Sequence, residues 1–569
     1  MTEEPRIGVF ICHCGLNIAG VIDIKELVEY AKTLPNVVYV KDNRYTCADP
    51  GQEEIRKAIK EHRLNRVVVA ACSPRMHEPT FRRTVSDVNL NPFLFEMANI
   101  REFSSWCHPS TPKEATEKAK DLIKMAVAKV RLLQPLQTIE VPVTNKALVI
   151  GGGIAGMNAA LDLAEMGFKV YLLEKSESIG GHMAQLDKTF PTNDCSMCIL
   201  SPKLVATGRH PNITILTNTE ILGLDGEAGN FEVKLRKRSR YIIEDKCNGC
   251  GLCAQKCPIE AVDMYNEGLS ERSAIYVDYP QAVPLKYKID REKCIGCGTC
   301  YEVCKAKAVA YDQQDSESTL KVGSIILAPG FEPFDARLKT EYGYGRYPNV
   351  VTSIEFERIL SASGPYGGLV VRPSDGEIPK KIAFIQCVGS RDYQLGNTYC
   401  SAACCMYGIK EAVIAKEHTP TKLEPTIFYM DLRAYGKEFD AYYNRAKEEW
   451  GIRFVRSRVA GVTEDPLTGN LLVHYVEDET PKTEEFDMVV LSIGMQPPKN
   501  VEKLAKALGI KLNKYKYCET GHFTPLETSK PGIFVCGAFS APKDIPESVA
   551  QASGAAAKAM SIIASERGK

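Results

Sequence analysis

The 569-residue chain has no excess of either charge: 71 Lys and Arg balance 71 Asp and Glu, and the formal net charge is zero. A general polyanion binder carries a basic excess, so nucleic acid is not an expected partner. No apolar run approaches the roughly 20 residues that a membrane-spanning helix needs. The first residues, MTEEPRIGVF, lack a basic segment followed by a long apolar stretch, so no export signal is read. The expectation is a soluble, cytoplasmic protein. With 44% hydrophobic and 25% charged residues, disorder, collagen and coiled coil are excluded. At roughly 150 residues per domain the length suggests three or four domains. Cysteine is in surplus, at 21 residues. Without an export signal these are not expected to form a disulfide framework, and their spacing decides what they do.

Residues 1–140 alternate short apolar strands (IGVFICHC, VVYVKDN, RVVVAAC) with helical stretches at 21–34 and 51–64, then a long helix near 112–133. Such alternation favours a parallel sheet with crossover helices. A linker is read around Leu136–Lys146. Residues 146–175 read strand, glycine turn, helix, strand, and the α/β pattern resumes at 321–330. Further strands are read at 381–390, 426–436, 486–495 and 532–540, with a small-residue helix at 546–563. Between them, 241–312 is short-looped, cysteine-dense and weakly periodic. The expected organisation is an N-terminal α/β domain (1–140) and one Rossmann-type α/β domain in two parts (141–240 and 313–569). The cysteine-dense insert (241–312) interrupts the second.

Gly151-Gly152-Gly153-Ile154-Ala155-Gly156 matches G-x-G-x-x-G. Its glycines permit a tight turn, close approach of a pyrophosphate and helix–strand packing, and the helix start offers free N–H groups to phosphate. Glu174 ends the next strand, 23 residues after Gly151, with Lys175 beside it, where a carboxylate accepts from ribose hydroxyls. The bland alternative is an ordinary βαβ turn. IILAPG (325–330), with Ala328 and Gly330, and GIFVCGA (532–538), with Gly537 and Ala538, resemble the two returning strands of two-domain flavoprotein disulfide reductases. That resemblance implies FAD, touched by Gly537 and by Pro546–Val549. Where those reductases open a second glycine turn for NAD(P)H, this chain reads Ile385-Gln386-Cys387-Val388-Gly389-Ser390-Arg391. Hydride from NADH is therefore not the expected input.

C-x2-C-x2-C-x3-C occurs twice, at Cys247, Cys250, Cys253 and Cys257 and at Cys294, Cys297, Cys300 and Cys304. Three closely spaced thiolates face one cubane and the fourth ligates the other cluster. The spacing thus assigns Cys247, Cys250, Cys253 and Cys304 to one [4Fe–4S] cluster, and Cys294, Cys297, Cys300 and Cys257 to the second. Zinc knuckles fit poorly, since they use paired CxxC half-sites. Cys387, Cys400, Cys404 and Cys405 form a further C-x12-C-x3-C-C set. Cys400 and Cys404 share a helical face, whereas Cys405 points about 100° away. A cluster there needs the loop carrying Cys387 to fold over the helix start; the alternative is buried small hydrophobes. Cys195 and Cys198 form a CxxC with three open readings. They are half of a cluster site completed by the N-terminal cysteines (Cys12, Cys14, Cys47, Cys72, Cys107), a redox disulfide, or residues without a role. Cys518 and Cys536 are expected to be packing residues.

CHCGLNIAG (12–20), CADPGQ (47–52), ACSPRMHEPTFR (71–82), VIGGGIAGM (149–157), GGHMAQ (180–185), NDCSMCILSPK (193–203), the paired ferredoxin motifs and QCVGSRD…YCSAACCMYGIKEA (386–412) together resemble the A-type flavoprotein subunit of heterodisulfide reductase. The resemblance spans nearly the whole chain. It implies an α/β fold with an N-terminal α/β domain and a thioredoxin-reductase-like FAD-binding Rossmann domain carrying an inserted bacterial-type ferredoxin domain. Gly181, His182 and Met183 are then at the flavin. The 387–405 cysteines become a cluster site, and Lys410 takes the place of a catalytic lysine beside the isoalloxazine. Function follows as electron transfer in the anaerobic metabolism of methanogens. Pairs of electrons enter from a hydrogenase, formate dehydrogenase or other donor subunit. They leave to a disulfide-reducing partner and, by electron bifurcation, to ferredoxin, within a duplicated hetero-oligomer of heterodisulfide reductase-like subunits. Some family members continue into a second ferredoxin domain, so here the low-potential exit is expected from a partner. The rival readings are a stand-alone NAD(P)H-dependent disulfide oxidoreductase using the CxxC pair, and a conduit whose flavin never cycles through two electrons.

Overall fold

A computed structural model describes residues 4–137 and 142–564. The chain divides into two units, Met1–Glu140 and Val141–Lys569. The expected linker straddles this division, and its residues 138–141 lie outside the described residues.

The first unit is built on four parallel strands in the order Val37–Asn43, Ile7–Cys12, Arg66–Ala71 and Phe95–Asn99. The two central strands are buried at every position, as unbroken apolar runs between two helical layers must be. The helices read at 21–34, 51–64 and near 112–133 are Ile24–Lys32, Asp49–Glu61 and Pro112–Leu132. The helix Pro74–Ser86 and the strand Phe95–Asn99 add to that reading. Pro79 inside the helix hides its periodicity in the sequence.

In the second unit, the sequence suggests one interrupted α/β domain; the structure builds it on two five-stranded parallel sheets. One orders Ile533–Val535, Ser324–Leu327, Lys146–Ile150, Lys169–Leu173 and Ile213–Leu216. The other orders Val350–Thr352, Met488–Ile493, Lys381–Val388, Glu424–Tyr429 and Arg453–Arg456. The sequence reading passes over the edge strands Val350–Thr352 and Arg453–Arg456, which complete the second sheet, and the helix Ser353–Leu360. Each sheet is accompanied by a three-stranded antiparallel one, and two small two-stranded pairs lie within the 241–312 insert. Among the described residues no helix is long and apolar enough to cross a membrane.

Candidate functional site

The glycine turn lies at the carboxyl edge of the first parallel sheet, where open α/β sheets bind ligands. Gly151 (φ +105°) leads out of the strand Lys146–Ile150, and a Cβ on it would meet the Ala328 carbonyl oxygen at 2.1 Å. Gly156 packs on the turn so closely that a Cβ would sit 1.8 Å from the Gly151 carbonyl oxygen. Gly153 differs: a Cβ there would meet nothing within 4 Å. It precedes the helix Ile154–Glu165, and no side chain caps the helix start. The open space and the free N–H groups form a cradle suited to a pyrophosphate. Glu174 holds the turn, its carboxylate accepting from the Gly152 N–H at 2.7 Å and from Ser176.

The other cofactor candidates gather at the same edge. Gly181 (φ +59°) approaches Gly153 to 3.1 Å measured from its would-be Cβ. His182 bridges Gln185 and the Phe331 carbonyl, and Met183 is buried. Gly330 (φ +74°) faces open space. Gly537 (φ +68°) packs on Ala155, with Ala538 beside it. Pro546 and Val549 lie in the first turns of the helix Ile545–Ile563. Lys175 is exposed and paired with Glu332 at 3.3 Å. The glycine approaches and the uncapped helix start fit a flavin dinucleotide.

Lys410 is 1% exposed on the helix Cys404–His418 and forms an ion pair with Glu357 of the helix Ser353–Leu360. Glu357 also accepts from the backbone N–H of Asp187, at 3.0 Å. Asp187 lies two residues beyond Gln185, the end of the Gly181–Gln185 segment. Glu357 thus links Lys410 to the segment after Gly181, and sequence reasoning missed Glu357 and Asp187.

In the insert, Cys257 of the first motif lines one cavity with Cys294, Cys297 and Cys300 of the second. The cavity holds about 320 Å³ of empty space, part of it open to solvent, between Ile259, Ile275, Ile289 and Tyr311. This is the crosswise set that the spacing assigns. The Tyr311 hydroxyl lies 2.9 Å from Cys300 Sγ. Tyr287 lies near Cys247, Cys250 and Cys253, and burial with Cys247 nearby pushes the Cys253 thiol up to about 12. Cys304 packs in the same small core.

The strand Lys381–Val388 ends where a second dinucleotide turn would open. It carries Cys387 in the left-handed region (φ +64°), and Ala402 is left-handed too (φ +61°). Such backbone is rare for residues other than glycine and clusters at functional sites. The two turns bring Cys387, Cys400, Cys404 and Cys405 within electrostatic reach of one another. Burial, then Cys405, pushes Cys387 up to about 12, and burial with Cys387 nearby holds Cys404 well above its usual range. Ionising thiols packed this way would take a cation among them, and an iron–sulfur cluster would supply one. Among the described residues no three Cys, His, Asp or Glu side chains close on one point as round a single ion. A cubane asks for wider spacing, because each thiolate binds a different iron.

Cys195 and Cys198 are exposed at the start of the helix Ser196–Arg209, with sulfur atoms 2.6 Å apart. In the first unit, Cys12, Cys14, Cys47 and Cys72 lie close together, and Arg101 donates to Cys14 Sγ at 3.3 Å. Cys107 instead bonds the Glu102 carbonyl. Cys518 and Cys536 are buried.

Three family models match: an NAD(P)-binding Rossmann-like domain at 149–213, a 4Fe-4S dicluster domain at 246–309 and a pyridine nucleotide-disulphide oxidoreductase at 402–556. Among solved structures, the thioredoxin reductase of T. acidophilum is 14% identical, with a TM-score of 0.43, covering 74% of this chain and 99% of that one. The A-type subunit of the H(2)/formate:CoB-CoM heterodisulfide,ferredoxin reductase of Methanococcus maripaludis is 49% identical over 558 residues, 97% of this chain and 85% of that protein. The second of the A-type iron–sulfur subunits of CoB–CoM heterodisulfide reductase in Methanopyrus kandleri is 56% identical over 567 residues, 99% of this chain and 86% of that protein. With its Rossmann segments flanking a 4Fe-4S insert, the chain is an FAD- and iron–sulfur-dependent oxidoreductase that belongs to the family of A-type heterodisulfide reductase subunits.

Proposed function

We propose that the chain is the flavin hub of a heterodisulfide reductase-like complex. It passes electrons between a donor partner and a disulfide-reducing partner through FAD and [4Fe–4S] clusters, with flavin-based bifurcation to ferredoxin. The observation that carries this is the cysteine turn at Cys387, which stands where a nicotinamide-binding turn would open. Electrons then reach the flavin singly, from a cluster.

The proposed cluster ligands are Cys247, Cys250, Cys253 and Cys304 for one site and Cys257, Cys294, Cys297 and Cys300 for a second. Cys387, Cys400, Cys404 and Cys405 take a third, and Cys12, Cys14, Cys47 and Cys72 of the N-terminal unit a fourth. FAD supplies the exchange between two-electron and one-electron steps. Gly151, Gly153 and Gly156 with the helix start hold its pyrophosphate, Glu174 orients the turn, and Lys410 places a positive charge at the isoalloxazine. The M. maripaludis relative is named for hydrogen, formate and ferredoxin. Carried over, those names point to a hydrogenase or formate dehydrogenase as donor and to ferredoxin as second acceptor, in a hetero-oligomer. Domain limits of 1–140, 141–240, 241–312 and 313–569 accompany this reading.

Anaerobic mixing of the purified protein with NADH or NADPH tests the input. Flavin absorbance should persist with either and bleach with a low-potential one-electron reductant. Rapid bleaching by NADH would favour the second reading, a disulfide oxidoreductase working through Cys195 and Cys198, which the close approach of those two sulfur atoms supports.

A further inference from the structure

Three acidic side chains and one lysine meet in the interior of the second unit. Glu357, Lys410 and Glu411 are each 1% exposed, and Asp187 joins them from the segment after the flavin-side glycine. Glu357 is fully engaged: one oxygen accepts from Lys410 Nζ and the other from the Asp187 N–H. Glu411 is not. No protein donor reaches either of its carboxyl oxygens, nor Asp187 Oδ2. One ammonium thus faces more buried carboxyls than it can neutralise. Two adjacent carboxyls in an apolar interior do not both ionise; they hold one proton between them. Burial, with Glu357 alongside, pushes Glu411 well above the usual carboxyl range, and the same two causes raise Asp187.

We propose that Glu357 and Glu411 share one proton beside Lys410 and act as a closed proton store for the bound flavin, so that electrons enter and leave without proton exchange with water. This rests on the placement of Lys410 at the isoalloxazine proposed above. Two-electron reduction of an oxidised flavin to its anionic dihydro form consumes one proton. With FAD bound, the Lys410 ammonium would give it, breaking its own N–H bond as one forms on the flavin. The shared proton then leaves the glutamate pair for Lys410 Nζ, breaking a carboxyl O–H and restoring the ammonium. Two carboxylates now face one cation. On reoxidation the proton would return by the same path, leaving the glutamate pair singly protonated again.

The groups that face this store are few. Lys410 and Tyr407 share the Glu411 helix, and Tyr407 is held well above its usual range by burial. Tyr442 approaches Glu357 from the helix Phe439–Glu448 while its hydroxyl bonds Asn193 at 2.7 Å. His418 and Lys188 lie near Asp187, Lys188 being paired with Glu417 at 2.8 Å.

Infrared difference spectra of the holoprotein, oxidised minus reduced, test the proposal directly. In the oxidised protein a protonated-carboxyl band is expected that shifts in D2O and on labelling with [13C]glutamate, and that is lost when the flavin is reduced. The flavin midpoint potential should be independent of pH across the neutral range, and Glu411→Gln should remove the band and restore a pH slope. The labelled wild-type spectrum needs no variant, so misfolding of Glu411→Gln does not blunt the test. Absence of the band overturns the store, because both glutamates are then ionised. A band that persists through reduction overturns the coupling. Separately, a flavin spectrum and potential unchanged in Lys410→Met, with the band intact, would overturn the placement of Lys410 and leave the shared proton standing.

Discussion

Replacing Cys257 with Ala removes a ligand from the first cysteine motif, yet the structure predicts that the damage falls on the second. Cys257 lines the cavity of Cys294, Cys297 and Cys300, whereas Cys247, Cys250 and Cys253 gather round Tyr287. With one of four thiolates gone, the cluster in that cavity should be lost, which is about 4 Fe per chain. The three cysteines left behind then become reagent-accessible. Cys297 should react first, since it is exposed and hydrogen bonding from Thr299 holds its thiol below the usual range. Buried Cys300 should react last; burial holds its thiol up. Alkylation under anaerobic conditions, read by peptide mass spectrometry, reports all of this at once. Iron should fall by about 4 per chain while Cys247, Cys250, Cys253 and Cys304 stay protected. Labelling of Cys247, Cys250 and Cys253 instead, with the second motif protected, would refute the crosswise assignment.

Further outcomes follow from single contacts. Tyr311→Phe removes a hydroxyl 2.9 Å from Cys300 Sγ. A hydrogen bond that favours the more negative reduced cluster by about 1 kcal/mol is worth roughly 40 mV for one electron, so a titration should find that cluster's potential lowered by about this much. Gly153→Ala meets no protein atom within 4 Å, whereas Gly156→Ala places a methyl 1.8 Å from a backbone oxygen. The first should fold normally but purify with less than one FAD per chain, and the second should lower thermal stability as well. Lys410→Met strands the buried Glu357 and should cost about 3–5 kcal/mol of stability, while pairing it with Glu357→Leu should recover most of that. Additive effects in this cycle, measured by denaturant unfolding, would show that the two charges do not meet in the interior.

Where the chemistry is local, the sequence was readable. The glycine turn could be read because each glycine answers a steric need within a few residues, as the Gly151 and Gly156 approaches show. The gathering of Cys257 with Cys294, Cys297 and Cys300 could be anticipated because CxxCxxC geometry leaves the fourth cysteine facing away. What could not be read was set by distant pairing. Glu357 and Lys410 are 53 residues apart and meet only because two helices pack together. The edges of the second parallel sheet were obscured by the brevity of Val350–Thr352 and Arg453–Arg456, three and four residues long. The N-terminal cysteines come together because parallel strands collect their carboxyl ends at one edge: Cys12 ends one strand and Cys72 directly follows another. No spacing rule along the chain reveals that.

The central claim is that cysteine sets outside the ferredoxin motifs hold clusters and feed the flavin in place of a nicotinamide. Iron per flavin on anaerobically purified protein tests it most directly. Four clusters of four irons predict about 16 Fe per FAD. A value of about 8 would leave only the two clusters of the insert and would contradict the account.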